Sequence, residues 1–305
     1  MKNYLLILYL CFAFNSVKAI ESKIIHNIGN EIITNIDIKK EFKYLMALNN
    51  SLRELSKEKI LNISNESIIR EKIKKIEITK NFKEIKLDED YYELLLKNIY
   101  TRLNLKSINE FDIYLKDYDL KIEDIKTKIT IDVLWNELIV KKYNSKIVID
   151  EAKIKKKILK NSKIKSKEYE LAEIIFQINS ENELIDKKDL IQTDIQQKGF
   201  ENAANIHSIA DSSKFGGDIG WINEQQLSLK INNAIKELNI NEISKPIKIP
   251  NGFLILKIKN KKQKEIKFDK KKLLEEAILF ETNRQYAQFS IIYFNKIKLN
   301  SIISE

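Results

Sequence analysis

Cysteine, histidine, glycine and proline are all scarce in this 305-residue chain, at 1 Cys, 2 His, 6 Gly and 2 Pro. One cysteine excludes a disulfide framework and a cysteine-based zinc site. His26 and His207 are too few for histidine-rich metal chemistry, so no metal and no cofactor is expected. No Gly-x-x-x-x-Gly-Lys run occurs, which removes the phosphate-cradling loop of nucleotide-driven machines. Arginine is rare as well, because Lys supplies nearly all of the 54 basic residues. Readers of bases and phosphates depend on the guanidinium fork. The net charge of +10 is therefore not taken as a sign of nucleic-acid binding. Lysines alternate with acids along helical stretches such as 121–126, the pattern of a solvated helix face. Hydrophobic residues are plentiful, at 43%, and can build the cores of about two domains.

The chain begins on a basic Met1-Lys2-Asn3, followed by an apolar run from Tyr4 to Phe14. Val17 and Ala19 then stand at the two positions a signal peptidase reads. Residues 1–19 are expected to be a cleavable secretory signal peptide, with Ala19 the last residue removed and the mature chain in the periplasm. The apolar run is too short to span a hydrocarbon core of about 30 Å, so no stable membrane insertion is expected. Cys11 follows Leu10, which is too large for a lipoprotein processing site.

Five of the six glycines and both prolines fall between Gly199 and Gly252. The stretch 167–260 holds 11 Lys against 14 acidic residues, whereas its flanks are Lys-rich and nearly free of glycine. Such a shift marks a separate middle domain, 167–260, between flanks at 20–166 and 261–305. The first flank opens with two β-branched runs around Gly29-Asn30, a hairpin signal. Helical spacing then takes over. Asn35 or Asp37 caps a helix with Ile38, Phe42, Leu45 and Met46 on one face. Ser107 to Glu110 is a capping box, Ile122 to Leu138 continues the helical period, and Asp150 starts a helix reaching about Lys160.

In the middle stretch, 169–178 and 252–259 read as strands, with a short one at 247–249. A helix ends near Gly199, a short one covers 200–206, and another spans 227–238. The tail, from Leu273 to about Ile297, is a long amphipathic helix expected to pack back on the first flank.

The motif Gly216-Gly217-Asp218-Ile219-Gly220-Trp221 precedes Leu227 and Ile231, then 243–247, then the strand Asn251–Lys257. This ordered set resembles a parvulin-type peptidyl-prolyl isomerase domain. With the leader, the helical flanks and 283–285, the whole chain is similar to SurA-type periplasmic chaperones, which keep outer-membrane proteins unfolded but soluble. The resemblance implies a multi-domain α + α/β fold. A mainly helical N-terminal domain is completed by a C-terminal helix, and a small antiparallel sheet with helices is inserted between them. It implies unfolded outer-membrane or other exported polypeptides as partners, and no nucleic acid.

Active parvulins carry a His, a Cys or Asp, and a second His at positions that fall here on Glu173, Ala210 and Leu254. Neither His is retained, and Asp211 stands one place from the loop acid. Ser208 and Asp211 remain as substitutes, and His207 is a candidate to approach Glu173. The proline-pocket positions fall on Leu227 and Ile231, to which Phe253 can be added. Trp221 reads either as loop-anchoring core or as a ring that stacks on a bound side chain. Gly216, Gly217, Asp218 and Gly220 read as structural, with Asp218 bonding loop amides. His26 reads as structural.

Rotating an X–Pro amide crosses a barrier of about 18–20 kcal/mol, and a catalyst must bind the twisted form better than the planar ones. An apolar pocket supplies binding, whereas the polar network of active members responds to charge on the carbonyl. A leucine at position 254 cannot do so. The expectation is an ATP-independent chaperone whose parvulin-like part binds peptide with weak or no isomerase activity. The alternative is an active isomerase acting on exported proteins.

Overall fold

The computed structural model describes residues 21–160, 165–178, 180, 182–250, 252–265, 270–301 and 303–304. The signal peptide expected at 1–19 lies outside the described residues.

The chain enters through a hairpin, β1 (Ile24–Ile28) and β2 (Glu31–Thr34), turning at Gly29-Asn30. Thr34 then caps α1 (Asn35–Leu48). Its hydroxyl accepts from the Asp37 amide, and the Asp37 carboxylate accepts from the Thr34 amide. The cap is thus Thr34, one residue before the expected Asn35, and Asp37 is the reciprocal member of the box. Helices α2 (Lys57–Asn81), α3 (Glu89–Arg102), α4 (Ile108–Lys116) and α5 (Ile122–Tyr143) follow. At α4, Ser107 accepts from the Glu110 amide, but the Glu110 carboxylate reaches the Lys106 amide, one residue beyond the usual box. Asp150 accepts from the Lys153 amide and opens α6 (Glu151–Lys160).

Among the described residues, two large cores hold this helical body, and a small one of Ile158, Leu273 and Ala277 joins α6 to the final helix. Tyr44, Leu45, Leu52, Phe111, Leu115 and Ile125 form one large core between α1, α3, α4 and the start of α5. The other large core joins the hairpin, α2 and α5 to the final helix, α9 (Lys270–Leu299). There Trp135 is fully buried, stacks on Tyr293 and donates its indole N–H to Ser290 at 2.8 Å. The tail helix therefore completes the helical body, as its amphipathic spacing predicts. The chain then adds β7 (Ile303–Ser304) to β1, giving a three-stranded sheet ordered β2-β1-β7.

Between α6 and α9 lies a four-stranded antiparallel sheet, ordered β4-β3-β6-β5. Its strands are β3 (Lys165–Phe176), β4 (Asp218–Asn223), β5 (Ile247–Ile249) and β6 (Gly252–Glu265). One face packs under α7 (Glu183–His207) through Ala172, Ile174, Phe176, Ile191, Phe200 and Ile255. Non-helical backbone at Gly199 kinks α7 where the sequence predicts one helix to stop and another to begin. The opposite face carries Tyr169, Leu171, Leu254, Leu256 and Ile258, part of it covered by α8 (Leu229–Ile235). That helix is shorter than the predicted 227–238, because Ser228 caps it and leaves Leu227 outside its first turn. No helix among the described residues is long and apolar enough to cross a membrane.

Trp135 joins α5 to α9 by both packing and a hydrogen bond. Trp135→Ala is expected to cost about 3–5 kcal/mol in urea unfolding, and a loss under about 1 kcal/mol would contradict this role for the joint.

Candidate functional site

The uncovered part of the sheet's second face looks across a cleft of about 830 Å³ toward α9 and α5. Side chains alternate along a strand, so Glu173 and Ile175 of β3 and Leu254 and Leu256 of β6 share this face. Leu227 and Ile231 add apolar surface from the start of α8, and Ile219, Trp221 and Ile222 from β4. The far wall is one stripe of α9, where Phe280, Ala287, Ile291 and Phe294 alternate with Asn283, Arg284 and Asn295.

Glu173, Ala210, Asp211 and Leu254, the four positions matched to the family's catalytic site, all line this cleft. Two of them, Glu173 and Asp211, carry a polar side chain. Glu173 accepts a 2.9 Å hydrogen bond from Ser212, and the described residues provide it no ion pair. Burial pushes its carboxyl up to about 7, against a smaller opposite pull from the Ser212 hydroxyl. Ala210 and Leu254 are buried and apolar.

Asp211 is spent elsewhere. Its carboxylate meets Lys74 of α2 at 2.9 Å, and Lys74 also reaches Asp132 of α5 at 3.5 Å. Lys214 closes the set on Asp132 at 3.0 Å. Burial pushes the Asp211 carboxyl up, but the Lys74 and Lys214 ammoniums outweigh it and hold it well below the usual range. The loop acid is thereby an anchor onto the helical body. Arg70 strengthens the same attachment by donating to the Ile209 carbonyl at 3.0 Å.

The Gly-Gly turn has a steric reason. Gly217 has φ +80, and a Cβ there would stand 2.2 Å from the Glu173 carbonyl oxygen. The Glu173 amide donates to the Gly217 carbonyl at 2.8 Å, so this approach fixes the strand that carries the carboxyl. Gly216 also has positive φ, with a Cβ position 2.9 Å from the Glu201 Cβ. Asp218 accepts from the Gly220 amide at 3.2 Å and from Lys259 at 3.1 Å. It bonds loop backbone, as Asp does in tight turns.

Three predicted placements change. Phe253 does not join Leu227 and Ile231, because strand alternation sends it to the opposite face from Leu254, where it stacks on Phe176. His207 does not approach Glu173; its Nε2 meets the Asp194 carboxylate at 2.8 Å. Ser208 is buried and accepts from the Ile175 amide at 3.0 Å, so it is a backbone brace. Trp221 is 41% exposed with Lys262 over its ring, which is a surface ring at the cleft and not loop core. His26 meets Asn65 at 2.9 Å within the helical body.

Sequence reasoning missed Ser212 and the α9 wall. Ser212 follows Asp211 in the loop before the glycines, the same short stretch that holds the family's polar position. The α9 wall is legible as a second apolar stripe beside the one that packs on α5.

Residues 163–260 match the family of the rotamase, PPIC-type PPIASE domain. The chain is 26% identical to the chaperone SurA of Pseudomonas putida over 167 residues, which cover 51% of this chain and 39% of that one. It is 30% identical to the foldase protein PrsA 2 of Bacillus cereus over 174 residues, 55% of each. Among solved structures, a SurA-like chaperone of Campylobacter jejuni aligns with 92% of this chain and 98% of its own, at 15% identity and a TM-score of 0.38. The first three curated relatives, all named chaperone SurA, are matched over 26% to 40% of their length. The chain is similar to SurA-type chaperones and carries one parvulin-like domain.

Two measurements check this geometry. Gly217→Ala is expected to lower stability by more than about 2 kcal/mol through backbone strain and the collision with Glu173; an unchanged denaturation midpoint would contradict the close approach. The Glu173 carboxyl titrates above its ordinary value of 4.5, so its share of stability is full below that pH and is lost as pH rises through about 7. Glu173→Gln should therefore gain stability relative to the parent as pH climbs across that window. Parallel stability profiles would place the carboxyl in water.

Proposed function

We propose that this chain is an ATP-independent chaperone that binds unfolded exported polypeptides, outer-membrane proteins among them, in the periplasm after removal of its leader. The observation that carries this reading is the cleft of about 830 Å³, apolar on its sheet side and mixed on its α9 side. A strand displays alternate residues to opposite sides. Unfolded outer-membrane strands alternate apolar and polar residues. One set can lie on Ile175, Leu227, Ile231 and Leu256 while the other faces Asn283, Arg284 and Asn295. Such contacts are not sequence-specific and need no nucleotide.

Prolyl isomerisation in this cleft is weak or absent. Leu227, Ile231 and Trp221 form the apolar seat for a ring, and the two positions occupied in active relatives by His offer Glu173 and Leu254. Asp211 is held by Lys74. The second reading, an active isomerase, draws on one observation, the Glu173–Ser212 pair on the cleft floor.

Mature protein should suppress aggregation of a urea-denatured β-barrel protein at near-stoichiometric ratio, and Leu227→Ala with Ile231→Ala should weaken suppression several-fold. No suppression by the parent would remove the chaperone reading. In a protease-coupled assay on a proline tetrapeptide, the rate should stay near background. A large acceleration lost in Glu173→Ala would make the second reading the right one.

A further inference from the structure

The Glu173 carboxyl has no established task in peptide binding, yet its position is unusual. It sits on the floor of the cleft between Ile175 and Leu171, with Leu256 opposite it on β6. Several charged groups on the elements around it, all among the described residues, have partners elsewhere. On the loop, Asp211 is held by Lys74 and Lys214 by Asp132. On β4, Asp218 is held by Lys259; on β6, Lys257 pairs with Glu201. From α2, Arg70 donates to the Ile209 carbonyl, and on α9 Arg284 pairs with Glu281 and Lys298 with Glu66 at 3.8 Å. From α7, His207 pairs with Asp194. Among the described residues, the Ser212 hydroxyl donates a hydrogen bond to one oxygen of the Glu173 carboxyl, Oε1.

We propose that Glu173 acts in its protonated form as the cleft's hydrogen-bond donor to a main-chain carbonyl of the bound peptide, held in place for this by Ser212. The inference rests on the peptide-cleft reading above and gives the sheet side of that cleft a grip on the peptide main chain. An extended peptide buried against apolar walls must satisfy its own carbonyls, because an unpaired buried acceptor costs about 1–3 kcal/mol. A neutral carboxylic acid supplies both an acceptor, filled by Ser212, and a donor free for the ligand. Ionisation removes that donor and sets two acceptors against each other in a poorly solvated site. Burial already favours the neutral acid up to about pH 7, so the grip loosens just where a neutral solution turns mildly alkaline.

The probe is acetyl-Ala-Leu-Pro-Phe-amide, which has no titratable group, binding to the mature chain by calorimetry from pH 5.5 to 8.5. Parent affinity should fall about tenfold as pH rises through about 7, the change produced by a bound-state shift of about one pKa unit. Glu173→Gln keeps a donor that cannot ionise, so its affinity should stay within about twofold of the parent's low-pH value throughout. Glu173→Ala should bind about tenfold more weakly and without pH dependence, and Ser212→Ala should bind more weakly while retaining the slope. Thermal melts of all four proteins check that each is folded at both extremes. Parent binding that is flat with pH, or a slope that survives in Glu173→Gln, overturns the proposal while leaving the peptide cleft intact. Absence of saturable binding in both the parent and Glu173→Gln at pH 5.5 overturns the cleft reading itself.

Discussion

Four charges at the meeting of sheet and helices determine what the rest of the molecule can do. Lys74 and Asp132 come from α2 and α5, and Asp211 and Lys214 from the loop that precedes the glycine turn. Lys74 is 3% exposed and would be left uncompensated without its acids. Asp132 lies within the helical body at 3.5 Å, and the closer partner, Asp211 at 2.9 Å, comes with the loop when it is seated against that body. Seating the loop also places Ser212 over β3 and Glu173, and it brings the open face of the sheet opposite α9. Asp211 serves here as a joint between loop and helices. The cleft is the consequence of that joint, and on its sheet side the loop's Ser212 is what meets the Glu173 carboxyl.

The second constraint is the alternation of the strands. A sheet with α7 on one face must bury Phe176, Ile255 and Ala172 there, and every intervening residue then faces the other way. Leu254 and Glu173 are thereby committed to the cleft, and Phe253 is committed to the core. The α9 helix meets this open face with a mixed stripe while its other stripe packs on Trp135 and its neighbours. Two apolar stripes on one helix explain how a single tail can both complete the helical body and wall the cleft.

Much of this was legible in the sequence, for physical reasons that can be named. The hairpin at Gly29, the helices beginning near Ser107 and Asp150, and the break at Gly199 are local effects of turn and cap chemistry. The tail's return to the first flank followed from its apolar period. The motif from Gly216 to Trp221 located the loop, and the steric demand at Gly217 accounts for it. What stayed hidden depends on partners distant in the chain. Nothing near Asp211 announces that Lys74, 137 positions away, will take it. The apolar character of Phe253 does not say which face it takes; pairing in register with β3 decides that, and register is a tertiary fact. His207 is drawn to Asp194 within its own helix, a nearer acid than Glu173.

The most direct test of the cleft account uses the two faces of the same sheet. A photo-crosslinking side chain placed at position 231 faces the cleft, and the same group at position 253 faces the core under α7. With a urea-denatured β-barrel client diluted into the mixture, strong crosslinking from 231 and background labelling from 253 is the predicted result. Equal labelling from both positions, or stronger labelling from 253, would contradict it, because client would then be held somewhere other than the open face of the sheet.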